Sequence, residues 1–240
     1  MNYSRDSSLD DWLNEFRSPP QFEKKGRVEV VKHVDVYWSH QSPYCYFSLD
    51  RILCRQESND IPVTLRLVLP GVLRNVGKFG DASKMEERYF DLDTKRTAEY
   101  LRMPVRVPRP WPVECEPGTL YRARADQPRV YRLYHLNQAA IELGKGLDFL
   151  HTVSRSIWNG STTNWHEERA MRTAIEQAGL DYDALSKSAE KGAESFMRTY
   201  AENDKTLQAS GHWGVPVFVF NGEPFYGQDR FDQLIWRIEP

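Results

Sequence analysis

Ser42-Pro43-Tyr44-Cys45 is where the chemistry of this 240-residue chain is most legible. The tetrapeptide reads as a redox Cys-x-x-Cys site whose first sulfur has become a hydroxyl. Val34-Asp35-Val36-Tyr37-Trp38 ahead of it suits a buried strand. The stretch 46–56 behind it carries Phe47, Leu49, Ile52 and Leu53 at helical spacing, without Gly or Pro. A strand therefore turns into a helix at Ser42, with Ser42 at the N-cap and Pro43 at the first helical position. A hydroxyl so placed lies beside unpaired backbone N–H groups and the positive end of the helix dipole, a setting that favours a bound anion. A thiolate at such a terminus attacks; a serine does not. Cys45 takes the second, more buried position and is expected to be inert.

A second feature lies far along the chain. In Gly214-Val215-Pro216 the proline sits at a strand entry, where it marks an edge, a turn or a cis bond. Beside a site like that of Ser42 the cis reading is preferred. Val215 would then offer free backbone N–H and C=O groups to an extended ligand, as in strand addition.

The elements that must position these residues follow from pattern. A first strand is expected within 28–38, then the Ser42 helix, then a strand at 62–68 closed by Pro70-Gly71. A helical crossover makes those two strands parallel. From 83 to 210 the signal is nearly all helical, with segments at 85–101, 130–143, 148–158 and 167–178, and one or two more within 184–209 depending on a break at Gly192. Tyr89, Leu92, Arg96 and Tyr100 share one face of the first of these. Five prolines hold 104–117 in an extended loop. At the end Val217-Phe218-Val219-Phe220 is an apolar strand, Asn221-Gly222 a hairpin turn and Pro224-Phe225-Tyr226 its return. A helix over 231–238 closes the chain, with Leu234 and Ile235 inward. The pattern predicts an α/β fold: a thioredoxin-like domain at 28–82 and 211–240, split by a large all-helical insertion at 83–210. Residues 1–27 form an N-terminal arm ended by Ser18-Pro19-Pro20.

The pieces Tyr37-Trp38-Ser39-His40-Gln41-Ser42-Pro43-Tyr44, Gly214-Val215-Pro216-Val217-Phe218 and Gly227-Gln228-Asp229-Arg230 resemble 2-hydroxychromene-2-carboxylate isomerases. Those enzymes are relatives of kappa-class glutathione transferases and share the DsbA-like fold. The resemblance runs from about 31 to 236. It implies glutathione as the bound thiol. Ser42 then contacts the glutathione sulfur as the catalytic residue, and Val215, before Pro216, pairs with its cysteinyl backbone. Gln228 and Asp229 hold the γ-glutamyl end. Counting through 71–77 puts a further ligand contact on Lys78, where the family commonly carries Asn. Cys45 stands where relatives often carry Ser. The implied chemistry is addition of the thiolate to a conjugated double bond, rotation or ring opening, and departure of the sulfur. The substrate is a small electrophilic or aromatic molecule, and relatives of this kind suggest a homodimer. Asp229 also suits a helix N-cap, and Arg230 an exposed ion pair.

Composition narrows the partners. With 32 basic and 34 acidic residues the net charge is −2, which gives no footprint for nucleic acid and no attraction to a membrane surface. No apolar run is long enough to span a bilayer. The first thirty residues are polar and acidic, so no signal peptide is expected. Cys45, Cys54 and Cys115 have neither disulfide nor zinc spacing, and a cytoplasmic location is expected. His135, His151 and His166 lack ligand spacing. Gly144-Lys145-Gly146 reads as a helix break. His40 and Gln41 could line the pocket, His40 as readily being a loop residue in water. Were the proline-rich loop to cover the site, Arg106 or Arg109 could hold a substrate carboxylate there, with Trp111 alongside. Two rival functions fit the same residues: a thiol–disulfide oxidoreductase using Cys45, and a non-catalytic peptide-binding module using the Val215-Pro216 edge with Trp12 and Phe16.

Overall fold

β1 (Val34–Trp38) is the strand from which the rest is laid out. The structure, a computed structural model, describes residues 32–57, 61–75, 83–119 and 121–239. The expected arm at 1–27 and Lys78 lie outside the described residues. Val34, Val36, Tyr37 and Trp38 of β1 are all buried, which needs cover on both faces of the sheet. β2 (Val63–Leu67) pairs with β1 in parallel, Val34 opposite Val63 and Trp38 opposite Leu67. β3 (Val217–Phe220) runs antiparallel on the other side of β1, and β4 (Glu223–Tyr226) pairs with β3, giving the order β2-β1-β3-β4. Asn221, at a φ of 51°, and Gly222, at 82°, make the hairpin turn that their types predict.

α1 (Pro43–Glu57) makes the parallel crossover, burying Cys45, Tyr46, Phe47, Leu49 and Ile52. Each large apolar side chain so buried contributes roughly 1.5–3 kcal/mol. The one-turn α2 (Gly71–Arg74) follows β2. α3 (Lys84–Leu101), α4 (Pro128–Glu142), α5 (Gly146–Phe149), α6 (Arg155–Trp158), α7 (Glu168–Gln177) and α8 (Tyr182–Ala209) make up the helical insertion. α9 (Phe231–Ile238) closes the sheet, the Phe231 ring meeting Phe218 edge-on at 5.3 Å. One apolar core runs from Val36 and Phe218 of the sheet to Leu133, Tyr134 and Tyr200 of the inserted helices.

Local outcomes sharpen or differ from the sequence pattern in two places. α8 runs unbroken through Gly192, and the Phe196 ring takes the space that a Cβ on residue 192 would need, 2.2 Å from its Cζ. The segment expected at 148–158 is an α–π–α composite: Leu150–Ser154 forms a π turn between α5 and α6. The shared face of Tyr89, Leu92 and Tyr100 on α3 points away from the core, with Tyr100 83% exposed, while Thr94, Thr97 and Ala98 are buried. The proline-rich stretch 104–117 has no helix, as its composition requires.

Candidate active site

Ser42 caps α1 through two bonds. Its Oγ accepts the Cys45 N–H at 3.3 Å, and its carbonyl accepts the Tyr46 N–H at 3.3 Å. With the oxygen used as an acceptor from the backbone, the hydroxyl proton remains for a ligand. The segment before the cap is tied down tightly. Ser39 C=O accepts the Ser42 N–H at 3.1 Å, and Ser39 Oγ lies 2.9 Å from the Tyr134 hydroxyl. That hydroxyl is also 2.8 Å from the Val68 carbonyl, to which its single proton goes, so Ser39 donates to Tyr134.

Cys45 is fully buried, its Sγ accepting the Ser39 N–H at 3.4 Å, and burial pushes its thiol up to about 12. A thiol so held is not a nucleophile near neutrality. His40 is also wholly inside, neither on the pocket wall nor in water. Its Nε2 meets Asn137 Oδ1 at 2.9 Å, and its carbonyl accepts the Trp158 indole N–H at 3.0 Å. Asn137 Nδ2 donates to the Gly146 carbonyl, which leaves Oδ1 to face the ring and puts the imidazole proton on Nε2. Burial lowers its pKa to about 4.

Ser42 opens onto a cavity of about 220 Å³. Tyr44, Phe90, Trp111, Tyr121, Trp213 and Tyr226 give it an aromatic wall; Ser39, Gln41 and Val215 complete the side near Ser42. The Val215–Pro216 peptide is cis, as the sequence suggests. Among the described residues nothing pairs with the Val215 N–H or C=O. A groove of about 670 Å³ adjoins the cavity, sharing Tyr44, Val215 and Tyr226 with it and continuing along Gly227, Gln228, Asp229 and Arg230 against α3. Residues 42, 215, 228 and 229, 173 or more positions apart in sequence from the first to the others, therefore line one continuous depression.

Two sets of bonds that the sequence did not suggest shape this groove. Tyr44 Oη donates to Asp93 Oδ2 at 2.6 Å, and Arg96 pairs with the other carboxylate oxygen. The Tyr44 bond first, then Arg96, holds the Asp93 carboxyl below its ordinary range, while burial and Asp93 raise Tyr44. Arg51 on α1 donates to the Gln228 carbonyl at 2.7 Å and also to Gln228 Oε1, leaving the Gln228 amide hydrogens for the groove. Gly227, at a φ of 102°, turns the chain there, and a Cβ on it would stand 2.5 Å from Asp229 Oδ1. Asp229 is not the N-cap of α9. It lies within the short 3₁₀ turn Gln228–Arg230 and pairs with Arg230 at 3.1 Å, both exposed.

The proline-rich loop reaches the cavity through Trp111 alone of the three residues singled out. Arg106 and Arg109 instead line a separate cavity of about 250 Å³ beside Gly160. Trp111 is placed by Arg129, which donates to its carbonyl at 2.5 Å. Tyr226 follows buried Phe225 on β4, so strand alternation could have put it on the opposite, site-facing side. His212 stacks on its ring at 3.9 Å, and Gly214 makes room: a Cβ there would be 2.5 Å from Tyr226 Cε2. Burial raises the Tyr226 hydroxyl, which is therefore protonated near neutrality. Phe90 and Trp213 carried no local signal. Among the described residues no group of three His, Cys, Asp or Glu side chains could hold a metal ion, and no helix is long and apolar enough to cross a membrane.

Comparison with known proteins gives the fold a family. Searched against curated proteins, the sequence finds no match. Among solved structures, a 2-hydroxychromene-2-carboxylate isomerase superposes with a TM-score of 0.63 at 17% identity, covering 86% of this chain and 94% of that one. The cytosolic disulfide reductase DsbM from Pseudomonas aeruginosa, with GSH, gives 0.55 at 14% identity over 86% and 97%. The thiol–disulfide exchange protein alpha-DsbA2 from Wolbachia pipientis gives 0.50 at 11% identity over 100% and 98%. At such identities these likenesses speak for the fold alone. The model of the DSBA-like thioredoxin domain matches residues 33–239, and the chain belongs to that family.

Proposed function

We propose that the chain is a glutathione-dependent isomerase or transferase of the 2-hydroxychromene-2-carboxylate isomerase type, in which Ser42 stabilises the glutathione thiolate. The observation that carries this is the division of labour at the start of α1. Cys45 is buried with its thiol pushed up to about 12, while the half-exposed Ser42 caps the helix and faces the cavity. A reactive sulfur at this position then has to arrive with a ligand. The helix terminus and the Ser42 proton stabilise it as the anion, which makes it nucleophilic near neutral pH. Val215, with its backbone groups open beside Pro216, suits the cysteinyl segment of the tripeptide, and Gln228 and Asp229 suit its γ-glutamyl end. Lys78 is proposed as a further contact, the enzyme as a homodimer, and the cytoplasm as its location.

Cys45 as a redox nucleophile is disfavoured by its burial and by the direction of its pKa. A peptide-binding role for the Val215–Pro216 edge would use the same open backbone but gives Ser42 nothing to do. The test is thermal stabilisation by millimolar glutathione, with the ultraviolet absorbance of the bound thiolate recorded against pH. A raised melting temperature and a thiol titrating below its solution value are expected. No shift in melting temperature would overturn the reading.

A further inference from the structure

We propose that the helical insertion carries a second binding site, separate from the Ser42 depression, and that it takes a free α-amino acid with an apolar side chain. The site is a cavity of about 320 Å³ between the first turns of α4, the start of α7 and Glu114 of the proline-rich loop. It shares no lining residue with the cavity beside Ser42 or with the adjoining groove. The inference therefore stands apart from the reading of Ser42.

The floor of the cavity argues the apolar part. Leu133, Trp165 and Met171, each at most 2% exposed, form it. The Trp165 ring is held in place, its indole N–H donating to the Pro110 carbonyl at 2.8 Å. An aliphatic side chain laid on this surface leaves water, and the volume is in the range of small-molecule sites.

The rim argues the charges. Glu114, Arg129 and Arg132 stand around the floor. Arg129 and Glu114 answer each other: the Arg129 Nη2 lies 3.2 Å from Glu114 Oε1, and its Nη1 donates to the Trp111 carbonyl at 2.5 Å. Two groups are left over. Glu114 Oε2 is buried without a hydrogen-bond partner, on a side chain 14% exposed. A carboxylate oxygen so placed calls for a donor. The last torsion of a glutamate is broad, so a small turn presents that oxygen to a donor in the cavity. Arg132 donates to the Tyr182 hydroxyl and meets no carboxylate among the described residues. Burial first, then the Arg129 charge, holds His166 in the same wall below its ordinary value, so it adds no charge near neutral pH.

An acceptor without a donor and a cation without an anion, beside one apolar floor, match an ammonium and a carboxylate on one carbon that also carries an apolar chain. A simple acid would satisfy Arg132 but bring a second negative charge to Glu114 Oε2. A simple amine would satisfy Glu114 but set a third cation beside two guanidinium groups. Each leaves a polar group of the wall unpaired.

Equilibrium dialysis against the full chain tests this with three probes of one shape. They are L-leucine, 4-methylpentanoate, which lacks the ammonium, and 3-methylbutylamine, which lacks the carboxylate. L-Leucine is expected to bind at millimolar concentration or below, and each analogue at least about tenfold more weakly, the scale of one charge-assisted hydrogen bond. Glu114→Gln keeps the shape of the wall and is expected to weaken L-leucine about tenfold without weakening 4-methylpentanoate. Arg132→Met, at an exposed position, is expected to weaken both by about tenfold. That loss would assign the ligand to this cavity and not to the aromatic one beside Ser42. Absence of L-leucine binding at about 10 mM overturns the proposal. So does an analogue that binds as tightly as L-leucine, and so does either variant that binds L-leucine like the wild type.

Discussion

The Ser42 hydroxyl and the Cys45 sulfur face opposite environments although one helical turn holds both. Ser42 Oγ accepts the Cys45 N–H at 3.3 Å at the lip of the cavity, and Cys45 Sγ accepts the Ser39 N–H at 3.4 Å in the interior. In a redox pair the two positions exchange electrons. Here one opens onto the cavity and the other packs.

Ser42→Ala removes both a helix cap and a donor. Loss of the cap should cost about 1 kcal/mol in chemical denaturation. The bound glutathione thiol should titrate about one unit higher, seen as a displaced pH profile of thiolate absorbance. Equal thiolate pKa in variant and wild type would remove Ser42 from the chemistry.

Iodoacetamide should separate two of the cysteines in the folded protein. Cys54 is exposed and should label readily, whereas Cys45 should label at least about a hundredfold more slowly, since both access and thiolate fraction are lost. Peptide mapping after timed quenching reads this. Comparable rates for the two would restore Cys45 as a candidate nucleophile.

Arg51→Met should leave the fold intact and weaken glutathione about tenfold. Its guanidinium holds the Gln228 carbonyl and side chain, and two charge-assisted bonds are lost together. As a positioning residue acting through Gln228, its loss should raise the KM for glutathione and leave kcat nearly unchanged. A fall in kcat alone would contradict that role.

Burial of His40 predicts a specific acid sensitivity. Its folded pKa of about 4 lies below the ordinary 6.5, so above pH 6.5 both folded and unfolded states are neutral and its environment costs nothing. As pH falls through 6.5 the unfolded chain takes up a proton that the folded one refuses. Stability then declines until about pH 4, by about 3 kcal/mol from this residue. Urea midpoints across that interval, with the imidazole followed by NMR, check it. A His40 resonance titrating near 6.5 in the folded protein would refute it.

What could be read from the sequence is what depends on neighbours along the chain. The β1 strand, the Ser42 cap and the hairpin at Asn221-Gly222 follow from local residue types, and the cis Val215–Pro216 bond from Pro216 taken together with the Ser42 site. The groove could be read in outline, because Gly227-Gln228-Asp229 resembles a known motif. The remainder depends on contacts across long separations. His40 is buried by Asn137, 97 positions away, and Gln228 is fixed by Arg51 across 177. Tyr44 finds Asp93 on a helix whose aromatic residues give an outward face and a groove wall, and no periodicity distinguishes those from a core. The arginines of the proline-rich loop do not line this cavity: the loop bends at 109–110 and again at 112–113, with Trp111 between the bends in the cavity wall and Arg106 and Arg109 beside Gly160.

The π turn at Leu150–Ser154 sets the phase of everything after it. One residue more than an α-helix would use is accommodated there, so α6 is rotated by about 100° from where a regular helix would carry it. That rotation delivers the Trp158 indole to the His40 carbonyl, two residues before Ser42. A single-residue deletion within the turn would yield a more regular helix and a misaimed tryptophan. The alignment of the Ser42 turn is thus tied to a length, counted in residues, in a helix that lines neither the cavity nor the groove.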